Sequence, residues 1–216
     1  MTYGRTVDPD ETAEEHWDNR YRESERMWSG EPNAALVAEA AGMTPGRALD
    51  IGCGEGADAI WLARRGWRVT AVDVSGVALE RAARHAREAG AGTRVDWQRH
   101  DLAVSFPSGE WDLVSAHYLH APGELPRDAV LRRAAAAVAP DGVLLVVGHA
   151  DAGAREEAHH HGTPFPTPEA VLEQLRLEPG GWAVERAAEF ERARTGREGR
   201  PGLRRDNILR VRRLPG

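Results

Sequence analysis

Arg47-Ala48-Leu49-Asp50-Ile51-Gly52-Cys53-Gly54-Glu55-Gly56 is the stretch on which the reading of this chain turns. Ala48, Leu49 and Ile51 form a short apolar run, and Pro45-Gly46 ahead of it is a turn signal, so the run reads as a buried strand. Gly52, Gly54 and Gly56 then alternate with other residues. Glycines at that spacing let the main chain turn sharply with positive φ and let a ligand lie against bare backbone. A helix is expected from about Ala57 to Arg65, and its first N–H groups have no partner within the helix. Strand, glycine turn and helix in that order make a cradle for a nucleotide-like ligand.

The following residues narrow the ligand. Trp67-Arg68-Val69-Thr70-Ala71-Val72-Asp73 reads as a second strand ending in an acid, 21 residues after Gly52. At about that spacing a strand-end acid hydrogen-bonds a ribose diol. The turn is Gly-x-Gly-x-Gly, without the third glycine that seats a pyrophosphate in dinucleotide binders. Asp50 precedes the turn, and a carboxylate there suits a cationic amine better than a diphosphate.

Together, LDIGCGEG followed by VTAVDVS resembles the first two motifs of the class I S-adenosylmethionine-dependent methyltransferases. The resemblance implies an α/β, Rossmann-like, doubly wound and mostly parallel seven-stranded sheet with a C-terminal antiparallel hairpin. It implies S-adenosylmethionine as cofactor and S-adenosylhomocysteine as product. The positions it assigns to cofactor binding are Asp50, Gly52, Cys53, Gly54, Gly56, Asp73, Val74, Asp101, Leu102 and Ala116. Asp101-Leu102, after a third strand Arg94–Gln98, matches the place where the family meets the adenine amino group. Motif-level specificity stops near Asp101.

Ahead of the core, Trp17 and Tyr21 stand i and i+4 on an expected helix from Glu14, and Trp28 follows in a turn-rich segment. These aromatics read either as packing or as a helical lid over cofactor and acceptor. Small-molecule methyltransferases of the thiopurine, thiol/halide and tellurite-resistance kind carry a comparable segment, so the resemblance favours the lid. The expected organisation is one domain over residues 1–216, with lid 1–32 and core 33–216.

Along the core, Asn33 is expected to cap a helix Ala34–Ala41, and Ser75 one running through Glu88. A fourth strand is read at Glu110–Ala116 and a helix at Asp128–Ala139, stopped by a Pro140-Asp141-Gly142 turn. A fifth strand follows at Val143–Val147, and final strands at Trp182–Phe190 and Asn207–Arg213, with the arginine-rich stretch between the last two as a solvated loop.

Length and composition bound the function. With 216 residues the chain can bury a sizeable core. A formal net charge of −6 argues against a general nucleic-acid binder, and a small-molecule acceptor is expected instead. Lysine is absent, so every basic side chain is arginine. No apolar run approaches membrane-spanning length, and the polar, acidic N-terminus does not read as a secretion signal, so a cytoplasmic monomer or homodimer is expected.

Methyl transfer from a sulfonium is an in-line displacement with a good leaving group, so positioning and exclusion of water matter most. A general base helps only when the acceptor is protonated at neutral pH. His117 is the first candidate for that task, at the carboxyl end of the fourth strand, followed by His120 and His149. His159-His160-His161 carries no accompanying ligand at familiar spacing, so no metal is expected. Cys53, crowded inside the turn, reads as packing rather than as a nucleophile. Three other readings stay open: a methyltransferase acting on a macromolecule, a non-catalytic cofactor-binding protein on the same scaffold, and a dinucleotide-dependent oxidoreductase. The turn and Asp50 count against the last.

Overall fold

The computed structural model describes residues 11–119, 125–150, 165–195 and 201–216. Seven strands form one sheet: β1 (Arg47–Ile51), β2 (Arg68–Asp73), β3 (Val95–Arg99), β4 (Trp111–His117), β5 (Val138–His149), β6 (Trp182–Thr195) and β7 (Pro201–Arg213). Their spatial order is β3-β2-β1-β4-β5-β7-β6. The pairs from β3 to β5 are parallel, and β7 runs antiparallel to both β5 and β6. The chain winds outward from β1 to β3, then returns to lay β4 against the other edge of β1. That reversal opens a crevice at the carboxyl ends of β1 and β4, where ligands of open α/β sheets sit.

The helices are α1 (Ala13–Arg22), α2 (Ala34–Ala40), α3 (Ala57–Arg64), α4 (Gly76–Glu88), α5 (Arg127–Ala136) and α6 (Pro168–Leu175), with a 3₁₀ turn at Gly92–Arg94. Side chains alternate across the central strands, and each face has its own core. Leu49, Ile51, Val114, Leu144 and Val146 pack with Val130 and Leu131 of α5 and Val171 and Leu175 of α6. Ala48, Leu113, Val143, Leu145 and Val147 pack with Leu36 of α2, Leu62 of α3 and Trp67. Two-sided burial explains why these strands read as continuous apolar runs.

Several boundaries differ from the sequence reading. Asn33 stands at the N-cap of α2 without capping it. Its main-chain N–H and its Nδ2 both donate to Asp58 instead, at 2.7 and 2.8 Å. α5 stops at Ala136, and β5 begins at Val138, ahead of the expected turn. Pro140-Asp141-Gly142 is an irregularity inside that strand, where the register against β4 jumps and Asp141 takes φ 65°. A bulge is a place where a strand tolerates proline. β4 extends to His117, one residue further than read. β6 and β7 run through the described parts of the arginine-rich stretch, which there form a ladder rather than a loop. No described helix is long and apolar enough to cross a membrane.

Candidate functional site

The glycine turn between β1 and α3 forms as the spacing predicts. Gly52, Gly54 and Gly56 take φ of 72°, 53° and 85°. The Gly52 and Cys53 N–H groups both donate to Val72 O, at 2.9 and 3.0 Å, which pins the turn to β2. A Cβ on Gly54 would lie 2.9 Å from Tyr21 Oη and 3.3 Å from Trp28 Nε1. Bare backbone at that position therefore faces the N-terminal aromatics. Burial, then the charge of Asp73, push the Cys53 thiol well up, so it stays protonated, as suits a packing residue.

Four acids surround the turn. Asp73 ends β2, and its two oxygens accept from the Gly54 and Ser75 N–H groups, each at 2.9 Å. Burial raises its pKa against those hydrogen bonds. Asp50, almost fully buried, accepts from Ser115 Oγ at 3.3 Å, while its Oδ2 is buried without a hydrogen-bond partner. Burial first, then the charge of Asp58, push Asp50 well up. Asp58, in the first turn of α3, shifts the other way. Burial would raise it, but His117 and the two Asn33 donors outweigh burial and hold it low. His117 Nδ1 stands 3.2 Å from Asp58 Oδ2, an ion-pair distance without hydrogen-bond alignment. Glu55, the fourth acid, is 5% exposed.

Glu55 ties the N-terminal segment to the turn. Its Oε2 accepts from the Met27 and Trp28 N–H groups at 3.0 and 3.1 Å, and its Oε1 pairs with Arg81 at 3.1 Å. Trp28 Nε1 donates to Tyr21 Oη at 3.1 Å. Trp17 stacks on Tyr21 with ring centres 6.2 Å apart. Helix α1 forms because Thr12 and Glu15 make a capping box at its start. It docks through Asp18, whose Oδ1 accepts from Ser75 Oγ at 2.6 Å and Val77 N at 3.2 Å, across the start of α4.

At the other strand ends, Val74 follows Asp73 half-buried, and Ala116 is fully buried in the sheet. Asp101 Oδ1 accepts from the Ala103 N–H at 2.9 Å, which shapes the turn after β3, and Leu102 is buried in the core. His117 is buried on the α3 side of the sheet. Tyr118 takes φ 49°, uncommon for a residue with a side chain. A Cβ on Gly52 would lie 3.0 Å from Leu119 Cδ1, so the segment after β4 reaches over the turn. His120 and His159-His160-His161 lie outside the described residues. Among the described residues, no group of three or more His, Cys, Asp or Glu side chains stands close enough to hold a metal.

Of the residues singled out in the sequence, the structure brings Asp50, Asp73 and the three glycines to one place and sets Tyr21 and Trp28 beside Gly54. Sequence reading missed Glu55, Asp58, Asn33 and Asp18. Asp58 carried a signal, an acid in the first turn of the helix after the loop. The partners of Glu55 lie 27 and 28 residues earlier, and no local pattern marks them.

A "Methyltransferase domain" family matches residues 48–142. The fold is similar to the protein solved in "Conversion of a Disulfide Bond into a Thioacetal Group during Echinomycin Biosynthesis", at 25% identity and a TM-score of 0.70, covering 94% of this chain and 93% of that one. It is also similar to the N-methyltransferase NodS from Bradyrhizobium japonicum WM9 in complex with S-adenosyl-l-homocysteine. There the identity is 16% and the TM-score 0.68, over 94% and 99% of the two chains. Among curated proteins, the ribosomal RNA small subunit methyltransferase C of Chromohalobacter salexigens is 32% identical over 108 residues, 48% of this chain and 32% of that protein. The same-named enzyme of Alcanivorax borkumensis is 54% identical over 35 residues, 11% of its length. The chain therefore spans about a third or less of the curated relatives it matches. The strand order, the glycine turn and the domain matched over residues 48–142 agree in supporting a class I S-adenosylmethionine-dependent methyltransferase.

Proposed function

We propose that this chain transfers a methyl group from S-adenosylmethionine to a small-molecule acceptor by in-line displacement. The observation that carries the reading is the acid-walled glycine turn, in which Asp50 keeps a buried oxygen without a partner. Such a wall repels a pyrophosphate and suits a ligand with an ammonium and a sulfonium. The residues present fit the cofactor. Asp50 is placed for its amine, bare backbone at Gly54 admits close approach, and each Asp73 oxygen retains a second lone-pair site for a ribose hydroxyl. Asp101 and Leu102 are assigned to the adenine, with Cys53, Gly56, Val74 and Ala116 lining the cradle.

Bound there, S-adenosylmethionine supplies an electrophilic methyl on a good leaving group. The protein's part is to hold, orient and keep dry. Residues 1–32 act as the lid and residues 33–216 as the core of one domain. Trp17, Tyr21 and Trp28 offer aromatic faces to a cation, an attraction of about 0.5–2 kcal/mol each. Burial and the Asp73 charge keep the Tyr21 phenol protonated, able to donate rather than repel. The acidic net charge and a fold likeness covering nearly the whole chain support a small acceptor. The ribosomal RNA enzymes match over less than half of the chain, which weighs less for the acceptor.

Calorimetric titration with S-adenosylmethionine, S-adenosylhomocysteine and NAD tests the cofactor, and homocysteine release across an acceptor panel tests turnover. NAD binding tighter than S-adenosylhomocysteine would sink the reading. Binding without turnover of any acceptor would favour the non-catalytic alternative.

Two substitutions probe the acids. Asp73→Ala is expected to weaken S-adenosylhomocysteine at least tenfold, since charge-assisted hydrogen bonds contribute about 1.5–3 kcal/mol each. Unchanged affinity would reduce Asp73 to an anchor for Gly54 and Ser75. Asp50→Asn is expected to stabilise the ligand-free protein and weaken the ligand. A carboxyl whose folded pKa is raised binds its proton more tightly folded than unfolded, so stability falls as pH rises past the ordinary carboxylate value. The variant should therefore melt a few degrees higher than the wild type at pH 8, with the gap closing at pH 4. A gap that persists at pH 4 would contradict this account.

A further inference from the structure

The two acids that flank the cofactor turn are unequally served by hydrogen-bond donors. Asp50 stands two residues before Gly52, and Asp58 two residues after Gly56, in the first turn of α3. Asp50 is 3% exposed and Asp58 7%. Asp58 is well supplied. Its Oδ1 accepts from the Asn33 N–H at 2.7 Å and its Oδ2 from Asn33 Nδ2 at 2.8 Å, with His117 Nδ1 3.2 Å from that second oxygen. Asp50 receives one long hydrogen bond, from Ser115 Oγ at 3.3 Å, and its Oδ2 is buried with no partner. Ser115 faces Asp50 in the β1–β4 register, and His117 follows two residues later on the same face of β4. His117 does not relieve Asp50, since neither of its ring nitrogens makes an aligned hydrogen bond.

We propose that Asp58 is a specificity-determining residue for the cofactor: by keeping the negative charge of the pair, it leaves Asp50 protonated until a ligand amine displaces that proton. The proposal rests on the methyl-transfer reading above and deepens it. It makes the amine the group by which the site tells S-adenosylmethionine and S-adenosylhomocysteine from adenosine thioethers that lack one.

Three observations carry it. The first is the allocation of donors. Two carboxyls buried beside one turn do not both hold a charge cheaply, and the charge settles where the donors are. Asp58 has them and Asp50 does not. Burial, then the charge of Asp58, push Asp50 well up, against the pull of Ser115 and the Ala59 N–H. Burial opposes the Asp58 charge too, but His117 and Asn33 outweigh it and hold Asp58 low. The second is the spare oxygen. A buried acid with a purely structural task is ordinarily hydrogen-bonded, whereas Asp50 Oδ2 is left over. An ammonium brings three donors to such an oxygen. The third is conservation of charge. Exchanging a proton for an ammonium leaves the charge of the buried pair unchanged, so the amine adds no net charge to a desolvated wall.

The titratable groups facing Asp50 are Asp58 from α3, Asp73 at the end of β2, and the Cys53 thiol in the turn, which stays protonated. His117 of β4 acts on it by way of Asp58. In the exchange, Asp50 gives its proton to solvent, and the ammonium keeps its own protons and donates to the carboxylate left behind. No bond to carbon or sulfur changes. The free protein then binds about one proton more than the complex, so affinity rises with pH until Asp50 ionises unaided.

The test uses the full chain and two probes, S-adenosylhomocysteine and its deamino analogue, 4-(5′-adenosylthio)butanoate. Calorimetry at pH 6 in phosphate and in Bis-Tris, buffers with different heats of ionisation, counts the protons released. S-adenosylhomocysteine is expected to release about 0.5–1 proton more than the deamino analogue. The gap in affinity between the two should widen from pH 5 to pH 7, by up to about tenfold per pH unit. Asp50→Asn should abolish the extra release and hold the gap constant. Asp58→Asn should lower the extra release at pH 6 at least twofold and move the widening to lower pH. A merely structural Asp58 would instead weaken both probes alike and leave the release unchanged. Asp58→Ser, which can still accept from Asn33, keeps the proposal testable should Asp58→Asn fold poorly. Equal release with both probes, a gap that stays constant from pH 5 to pH 7 in the wild type, or extra release that persists in Asp50→Asn or in the neutral Asp58 variants would overturn the proposal. Tight S-adenosylhomocysteine binding alongside any of those results leaves the methyl-transfer reading standing, whereas no binding defeats that reading and this inference with it.

Discussion

Removing residues 1–28 is expected to leave a folded sheet that has lost nearly all turnover and roughly ten- to a hundredfold in S-adenosylhomocysteine affinity. The size of the loss follows from the aromatic faces removed, at about 0.5–2 kcal/mol each for a cation and more once water is excluded. The core itself does not depend on the segment. Its two apolar clusters are built from the strands and α2, α3, α5 and α6, without Trp17, Tyr21 or Trp28. A cost in stability is still expected, because deletion strips Asp18 from the start of α4 and two N–H donors from Glu55. Loss of a helix cap costs about 1 kcal/mol, which a domain of this size tolerates. Circular dichroism and calorimetry on the truncated chain separate lid from packing. Unfolding would make the aromatics structural, and a folded truncation binding at full affinity would defeat the lid.

Gly56→Ala is the substitution expected to cost most stability. Gly56 takes φ 85°, and a Cβ there would lie 2.6 Å from the Trp97 ring and 2.9 Å from Ala82 Cβ. A left-handed conformation costs a side-chain-bearing residue roughly 1–2 kcal/mol, and overpacking adds about 1–3 kcal/mol. Together these should lower the melting temperature by roughly 5–15 °C. Trp97 is part of β3, while Gly56 is the N-cap of α3, so relief requires moving one layer against another. A melting temperature within a degree of the wild type would show that the turn has another conformation available. Gly90 makes a control: its φ is also positive, but a Cβ there meets nothing within 4 Å, so Gly90→Ala should cost only the backbone term.

What the sequence disclosed and what it hid follow physical lines. The turn at Gly52–Gly56 was legible because only glycine takes positive φ cheaply at alternate positions, so a local pattern reported a local geometry. The parallel strands were legible because two-sided burial leaves continuous apolar runs. The end of α5 was not, since Ala134 through Ala139 is a run that suits helix and strand packing alike and carries no stop signal. The amide of Asn33 was misread because capping is a local competition that Asp58, 25 residues away, wins with two hydrogen bonds. The pairing of His149 with Asp206 depends on the register of β5 against β7, which is settled by strands meeting at long range rather than by spacing. His117 and His149, read at strand ends, each stand beside a buried acid, Asp58 and Asp206, which strand spacing does not mark.

One contact gives the lid a spectroscopic handle. Val77 N–H lies in the first turn of α4, where an amide has no partner within its own helix, and it donates to Asp18 on α1. Its protection against hydrogen exchange therefore depends on a side chain 59 residues away. The neighbouring Ala78 amide donates to Ser75 Oγ within its own turn, a hydroxyl that itself donates to Asp18, so its acceptor stays in place when α1 opens. Comparing the two exchange rates reads the free energy of opening α1 directly, in the intact protein and without a label. Cofactor that closes the lid should slow Val77 and leave Ala78 nearly unchanged, so a pair of adjacent amides becomes an internal gauge of how far binding and closure are coupled.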